Sequence, residues 1–312
     1  VDIEQARKRI AESTLRSPLV HLDVDNAPAD IYLKLENLQP TGSFKARGAG
    51  NAIALLSDKE RNQGVYTCSA GNMAQALAWH AHRNRIPCTV IVPETAPETK
   101  LAAIKRFDAK IIQLPWDGFW QVATTHHYTA LEGSIFIHPF ADHRMIAANG
   151  TIGLEILEDL PNVDSIIIPF GGGGLATGIA AAVKARKQDT RIYACETETA
   201  APLAASFAKG SAQTIKRIPS FVDGIGAENV LPEMWELVQP LLDGSIVVSL
   251  HDIVSAIKLL FERNRIIAEG AGAASVAAAL SGKAGTGHVV CVVSGGNIDL
   301  SKLDKILHGE IP

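Results

Sequence analysis

The sequence predicts an α/β fold of two open, mostly parallel twisted-sheet domains with helices on both faces. Short apolar runs alternate with longer stretches of helical periodicity along most of the chain. Several of the runs are nearly continuous in Ile, Val and Tyr, as strands covered on both faces require. The runs fall into two groups, before about residue 115 and after about residue 165, and 312 residues are long for a single core.

Taken in order, residues 1–10 are charged and helix-like, and residues 31–36 form the first expected strand. Pro40-Thr41-Gly42 reads as a turn, and Gly42-Ser43 as the entry to a helix. Apolar runs then predict strands at 64–69, 88–93 and 110–114, with helical periodicity over 72–83, 97–107 and 118–131 between and after them. The second group has strands at 165–170, 191–196, 246–249 and 288–294 and helices at 145–160, 175–186 and 253–265, followed by a final helical pattern. No repeat at a solenoid period is visible. The chain ends soon after the last pattern, so no regulatory domain is expected there. The active site is expected in the cleft between the two lobes.

Composition bounds the function. Hydrophobic residues make up 47% and charged residues 20% of the chain, ordinary for a globular protein. A net charge of −4 argues against nucleic-acid or anionic-membrane partners, which demand a basic face. No apolar stretch approaches the roughly 20 residues that cross a bilayer. With no apolar signal core at the start, the expectation is cytoplasmic. Cys68, Cys88, Cys195 and Cys291 each lie in an apolar run and none has a metal-ligand spacing, so free thiols and no metal site are expected.

Four motifs carry chemistry. Ser43-Phe44-Lys45-Ala46-Arg47-Gly48 places a lysine beside an aromatic ring, and an amine kept partly desolvated can hold an aldehyde as a Schiff base. Taken alone, Lys45 reads more readily as a solvated helix-face lysine, as most lysines are. Gly171-Gly172-Gly173-Gly174 stands between a strand and a helix that opens at Leu175, a setting that suits a phosphate. A dinucleotide fingerprint competes for that loop, with Glu196 at a tolerable distance for a ribose, so which phosphate stays open. Cys68-Ser69-Ala70-Gly71-Asn72-Met73 brings small residues and Asn to a helix start, where a substrate carboxylate or a plain cap would sit. Ser294-Gly295-Gly296-Asn297 follows the last buried strand, where Ser294 can bond a ring nitrogen or simply belong to a turn. A lysine and a phosphate cradle together point to pyridoxal 5'-phosphate. Elsewhere, His126-His127 point about 100° apart if helical and read as surface residues. His138-Pro139 and Glu269-Gly270 lie at element ends, lining a cleft or serving packing.

In this order, Ser-Phe-Lys-x-Arg-Gly-Ala, Ser-x-Gly-Asn-x-x-Gln-Ala, Gly-Gly-Gly-Gly-Leu and Ser-Gly-Gly-Asn resemble the serine/threonine dehydratases. These are fold-type II pyridoxal-phosphate enzymes of the tryptophan synthase β-like kind, relatives of threonine deaminase and serine racemase. The resemblance runs from Pro18-Leu19 to Asp299-Leu300. It implies Lys45 as the Schiff-base residue and catalytic base, Phe44 as a neighbour packed on the ring, and Asn72 on the phenolic oxygen. Gly171, Gly172, Gly173, Gly174 and Leu175 would hold the phosphate and Ser294 the pyridine nitrogen. Ser69, Ala70, Gly71, Asn72 and Met73 would receive the substrate. The implied reaction is β-elimination from L-threonine or L-serine, giving a 2-oxo acid and ammonia. Lyases for other 3-hydroxy amino acids, such as hydroxyaspartate or phenylserine, and amino acid racemases stand as alternatives, with a non-catalytic binding protein and a nicotinamide oxidoreductase further behind. A homodimer fits the family. The expected domains are a large cofactor-binding one, 1–51 with 142–312, and a small one, 52–141.

Departures from the family pattern bear on substrate. Met73 stands where many relatives have His, which implies a more apolar wall. Ala148-Asn149-Gly150-Thr151 replaces the commoner Gly-Gln-Gly-Thr, with Arg144 in the same stretch. Serine racemases place Ser at the position of Ala70. The metal ligands of related racemases and some dehydratases fall on Glu196, Ala200 and Pro202, and proline has no carboxylate to offer.

Overall fold

The structure, a computed structural model, describes residues 2–312. In chain order its elements are α1 (Ile3–Ile10), β1 (Leu19–His21), β2 (Asp30–Leu35), α2 (Lys45–Ala54), α3 (Asp58–Gln63), β3 (Val65–Cys68), α4 (Asn72–Arg83) and β4 (Cys88–Pro93). There follow α5 (Glu98–Lys105), β5 (Lys110–Leu114), α6 (Trp116–Thr125), β6 (Ile135–Phe136), α7 (His143–Asp159), β7 (Ser165–Pro169), α8 (Gly174–Lys184) and β8 (Arg191–Thr197). The chain closes with α9 (Pro202–Lys209), α10 (Pro232–Val238), β9 (Gly244–Val248), α11 (Leu250–Leu259), α12 (Gly270–Leu280), β10 (His288–Val293) and α13 (Leu300–Leu307).

Two compact units result, Val1–Leu15 with Lys45–Ala148, and Arg16–Phe44 with Asn149–Pro312. The first holds a four-stranded sheet in the order β5-β4-β3-β6, parallel throughout. Val90 and Val92 of β4 pack with Ala74 and Ala78 of α4 and Leu101 and Ile104 of α5, whereas Ile91 faces Val122 of α6. Both faces are covered, which is why the run is apolar without alternation.

The second unit holds a six-stranded sheet in the order β1-β2-β10-β7-β8-β9, in which only the β1–β2 pair is antiparallel. Ile167, Val289, Cys291 and Val293 pack with α11, α12 and α13 on one face. Ile166, Ile168, Val290 and Val292 pack with α8 and the second half of α7 on the other. In each sheet the chain reverses its direction of strand addition at one point, between β3 and β6 and between β7 and β10. Loops at the carboxyl ends of such strands diverge and leave a crevice, where open α/β sheets bind ligands.

The unit bounds depart from the expected 1–51, 52–141 and 142–312. Residues 45–51 and 142–148 belong to the first unit, because Ala49, Ala52 and Ile53 of α2 share one cluster with Met73, Ala76, Leu77 and Met145. Residues of α1 go with them through Ala6 and Ile10, which pack on Ala147 and Ala148. The helix expected over 118–131 stops at Thr125, where His126 takes a left-handed conformation (φ 58°) and ends it. The one expected over 253–265 starts at Leu250, capped by Ser249, and passes into a π turn at Leu260–Asn264.

Candidate active site

In the first unit, Lys45 opens α2. Its Nζ donates to the carbonyl of Pro139, in the stretch after β6. Burial pushes the amine from the usual 10.5 down to about 8, so an appreciable neutral fraction exists near neutral pH. At the end of β3, Ser69, Ala70 and Gly71 lie half-buried before α4. Gly71 is the N-cap of α4 and no side chain caps that helix, so its first N–H groups stay available to an anion. A Cβ added at Gly71 would meet nothing within 4 Å, which marks open space beside those donors. Ser69 Oγ accepts from Gly71 N at 3.2 Å. The Lys45 acceptor and the uncapped helix thus follow β6 and β3, the two strands of this unit's switch point.

The second unit repeats the arrangement. Phe170 and Gly171 to Gly173 link β7 to α8, which Gly174 opens, with Gly173 as N-cap at φ 90° and again no capping side chain. A Cβ on Gly171 would come within 2.9 Å of the Gly224 carbonyl, and one on Gly173 within 3.2 Å of Phe170 and Met234. Only glycine fits the first contact, and the left-handed φ demands it at the second. Asn149 Nδ2 donates to Gly174 O at 3.2 Å and Thr177 Oγ1 to Gly173 O at 2.9 Å, fixing the start of the helix. Leu175 is buried in its first turn. After β10, the adjacent switch-point strand, Ser294 O accepts from Phe44 N at 3.0 Å, and Ser43 bridges Gly295. Phe44 packs against the sheet cluster of β7 and α8.

One unit thus offers a cradle of backbone donors at a helix start, and the other a partly neutral amine. A model of pyridoxal-phosphate-dependent enzymes matches residues 10–295. The chain belongs to that family. It is 38% identical to an L-threonine ammonia-lyase of Thermotoga maritima, over 98% of this chain and 77% of that protein. Among solved structures it is similar to maize serine racemase, with a TM-score of 0.89, 34% identity, and 98% and 96% of the two chains covered. It is similar also to threonine deaminase isoform 2 of Solanum lycopersicum, with a TM-score of 0.87, 30% identity, and 98% and 93% covered.

The residues present fit the family's cofactor, pyridoxal 5'-phosphate. The glycine cradle suits its phosphate and the Lys45 amine its aldehyde. Ser43 Oγ is buried without a hydrogen-bond partner in this ligand-free chain, two residues before Lys45, as polar atoms kept for function can be. Glu196 is not placed for a ribose. Its Oε1 accepts from Leu203 N at 2.8 Å and its Oε2 from Ala204 N at 2.8 Å and Ser245 Oγ at 2.7 Å, so the carboxylate caps α9. The dinucleotide reading of the glycine loop therefore fails.

Other sequence expectations need correction. Met73 is not a wall residue: its side chain is 1% exposed and lies in the core cluster with Leu77 and Met145. It points away because the first turn of α4 alternates between the open face and the core. Arg144, in the stretch that departs from the family pattern, is paired. Its guanidinium grips the Asp142 carboxylate, Nε to Oδ1 at 3.0 Å and Nη2 to Oδ2 at 2.7 Å. His126 and His127 are exposed, yet the His126 ring lies 4.5 Å from that of His138. His138, which the sequence marks only by its Pro139 neighbour, is buried close to Lys45. The four cysteines are free, three of them buried. No described helix is long and apolar enough to cross a membrane.

Proposed function

We propose that this enzyme eliminates water from L-threonine and L-serine and releases 2-oxobutanoate or pyruvate with ammonia. The observation that carries the reading is the near-full-length likeness to an L-threonine ammonia-lyase, coupled with an amine at Lys45 that burial keeps partly neutral. Bound pyridoxal phosphate supplies the electron sink for the pair left at the substrate Cα.

The protein's own residues do the rest. Lys45 Nζ would hold the cofactor through its aldehyde carbon and, when free, would take the substrate Cα proton as general base. Gly171 to Gly174 and Leu175 hold the phosphate through backbone N–H groups and the dipole of α8. Phe44 would pack beside the ring, Ser294 would bond the pyridine nitrogen without protonating it, and Asn72 would orient the phenolic oxygen. The uncapped start of α4, with Ser69, Ala70 and Gly71, receives the substrate carboxylate.

Arg144 argues against an acidic substrate such as hydroxyaspartate, because Asp142 already occupies its bidentate face. Racemisation is the second reading, favoured by the likeness to maize serine racemase and opposed by the methyl group of Ala70. A homodimer and a cytoplasmic setting are further parts of the proposal, supported by the family resemblance and checked by sedimentation and by fractionation.

The test is a 2-oxo acid and ammonia assay over L-threonine, L-serine, phenylserine and hydroxyaspartate, with Lys45→Ala alongside. L-Threonine or L-serine should give the highest kcat/KM, and Lys45→Ala should lose on the order of a thousandfold or more. Preferred turnover of another 3-hydroxy amino acid, or an active Lys45→Ala, overturns the reading.

A further inference from the structure

We propose that His138 is a positioning residue for Lys45, fixing the turn whose Pro139 carbonyl accepts the lysine amine. The argument starts from hydrogen bonds. His138 Nδ1 accepts from Phe140 N at 3.2 Å and from Ala141 N at 2.8 Å. Two backbone donors on one ring nitrogen require that nitrogen to be unprotonated. The ring's other nitrogen donates its hydrogen to the backbone of Ala123. One tautomer is thereby selected, and the neutral ring is braced between two segments of backbone.

Packing reinforces this. His138 is 4% exposed, and its ring meets Phe140 edge-on at 4.4 Å and His126 at 4.5 Å. Residue 139 lies between the ring that anchors the turn and the N–H groups that bind the ring. Its carbonyl has no freedom to turn away from Lys45 without breaking both bonds. Proline at this position adds a fixed φ and removes a competing donor.

Charge completes the case. The charged and titratable groups that face His138 are Lys45, His126 and Asp142, and Asp142 is already paired with Arg144. Burial foremost, then His126 and Lys45, keep the ring neutral down to about 3. A neutral ring leaves Lys45 without a second positive charge beside it. The carbonyl is a directed acceptor for an Nζ hydrogen, which confines the nitrogen lone pair of the neutral amine to the two remaining tetrahedral positions.

The inference rests on Lys45 being the reactive amine of the proposed lyase, and its test is read without turnover. In the full chain freed of cofactor, acetic anhydride labels neutral amines, and peptide mass spectrometry follows Lys45 against pH. Replacing His138 by Phe leaves two half-buried N–H groups without their acceptor, so the turn opens to give them water. Lys45 then becomes better solvated, and its titration moves up from about 8 toward 10.5. At pH 7.5 labelling of Lys45 should fall about tenfold or more. His138→Asn offers Oδ1 where Nδ1 stood and should keep the rate within about twofold.

A folded His138→Phe that labels like the parent overturns the proposal. So does an Asn variant whose labelling falls as far as that of Phe, since that marks a purely structural residue. If His138→Phe does not fold, the Asn variant decides alone, retained labelling supporting the proposal and lost labelling overturning it. Failure of the lyase reading shows itself separately, as absence of 2-oxo acid from the parent enzyme.

Discussion

Asn297 donates its side-chain amide to the Thr41 carbonyl at 2.8 Å, and Thr41 sits in the left-handed region at φ 69°. A β-branched residue there is strained by roughly 1–2 kcal/mol. Around it, Gly296 N donates to Gly42 O at 2.9 Å and Phe44 N to Ser294 O at 3.0 Å. The loop after β10 thus clamps the turn that leads into α2 and Lys45. Gly42, also left-handed at φ 73°, leaves room for the amide, since a Cβ there would lie 2.6 Å from Asn297 Oδ1.

This pairing predicts opposite effects from two substitutions. Asn297→Ala should lower stability by about 1 kcal/mol, the ordinary worth of one such hydrogen bond. Thr41→Gly should be neutral or stabilising by up to about 1 kcal/mol, because it relieves the left-handed strain. Urea denaturation of the single and double variants measures both. A Thr41→Gly variant that loses as much as Asn297→Ala shows that the strain argument is wrong.

The metal position can be tested directly. Both Glu196 oxygens are engaged in capping α9, and Glu198 Oε1 accepts from Leu250 N at 2.9 Å. Adding EDTA or magnesium should therefore change neither the rate nor the melting temperature. Glu196→Ala should instead cost about 2–4 kcal/mol, since it strips a buried helix start of its acceptor. A fall with EDTA that magnesium restores contradicts this assignment.

Much of the fold was legible because parallel strands covered on both faces leave an apolar run with little else to read. The run at β4 and the run at β5 match their expected bounds, and β10 differs only at its end. By contrast, β1 and β6 have three and two residues, too few to show any period. Helix α12 is buried all round from Gly270 to Ala279, so it has no polar face to mark a helical repeat. The glycine loop and Lys45 stood out because the phosphate and aldehyde chemistry proposed for them restricts residue type. His138 was not, since nothing in His-Pro says which backbone groups its ring will receive. Glu196 misled for the opposite reason: its spacing suited a ribose, whereas its partners come from a helix start that follows it in the chain.

Stability should respond to pH with opposite sign in the two units. In the first, burial holds His80 at about 4 and His138 at about 3, below the ordinary 6.5. The unfolded chain takes up those protons first, so stability present above 6.5 is lost as pH falls toward those values. At pH 5 each ring should cost about 2 kcal/mol. In the second unit, burial raises Glu196 from 4.5 to about 7, so the folded form binds its proton more tightly and acidification through that window stabilises. Hydrogen exchange at pH 5 and pH 7.5, corrected for intrinsic rates, reads both. The amides of β3 and β4 should lose protection at pH 5 while those of β8 and β9 do not. His80→Gln, which keeps a donor for the Ala46 carbonyl that His80 Nε2 meets at 2.7 Å, should flatten part of the first unit's response.

Elimination should far outrun racemisation. Inverting Cα needs a proton donor on the face opposite Lys45, and at the relevant position this chain has Ala70. A methyl group neither gives nor accepts a proton. The neighbouring Ser69 hydroxyl accepts the Gly71 N–H at 3.2 Å, which ties it to its own loop. With L-serine as substrate, pyruvate should accumulate at least about a hundredfold faster than D-serine, the scale on which one positioned acid matters. Chiral chromatography and a pyruvate assay on the same samples give the ratio. Ala70→Ser restores a hydroxyl and should raise D-serine formation while Lys45 keeps its part in elimination. Comparable rates of D-serine and pyruvate from the parent enzyme would show that Ser69 or water reaches the far face, and would return the racemase reading to first place.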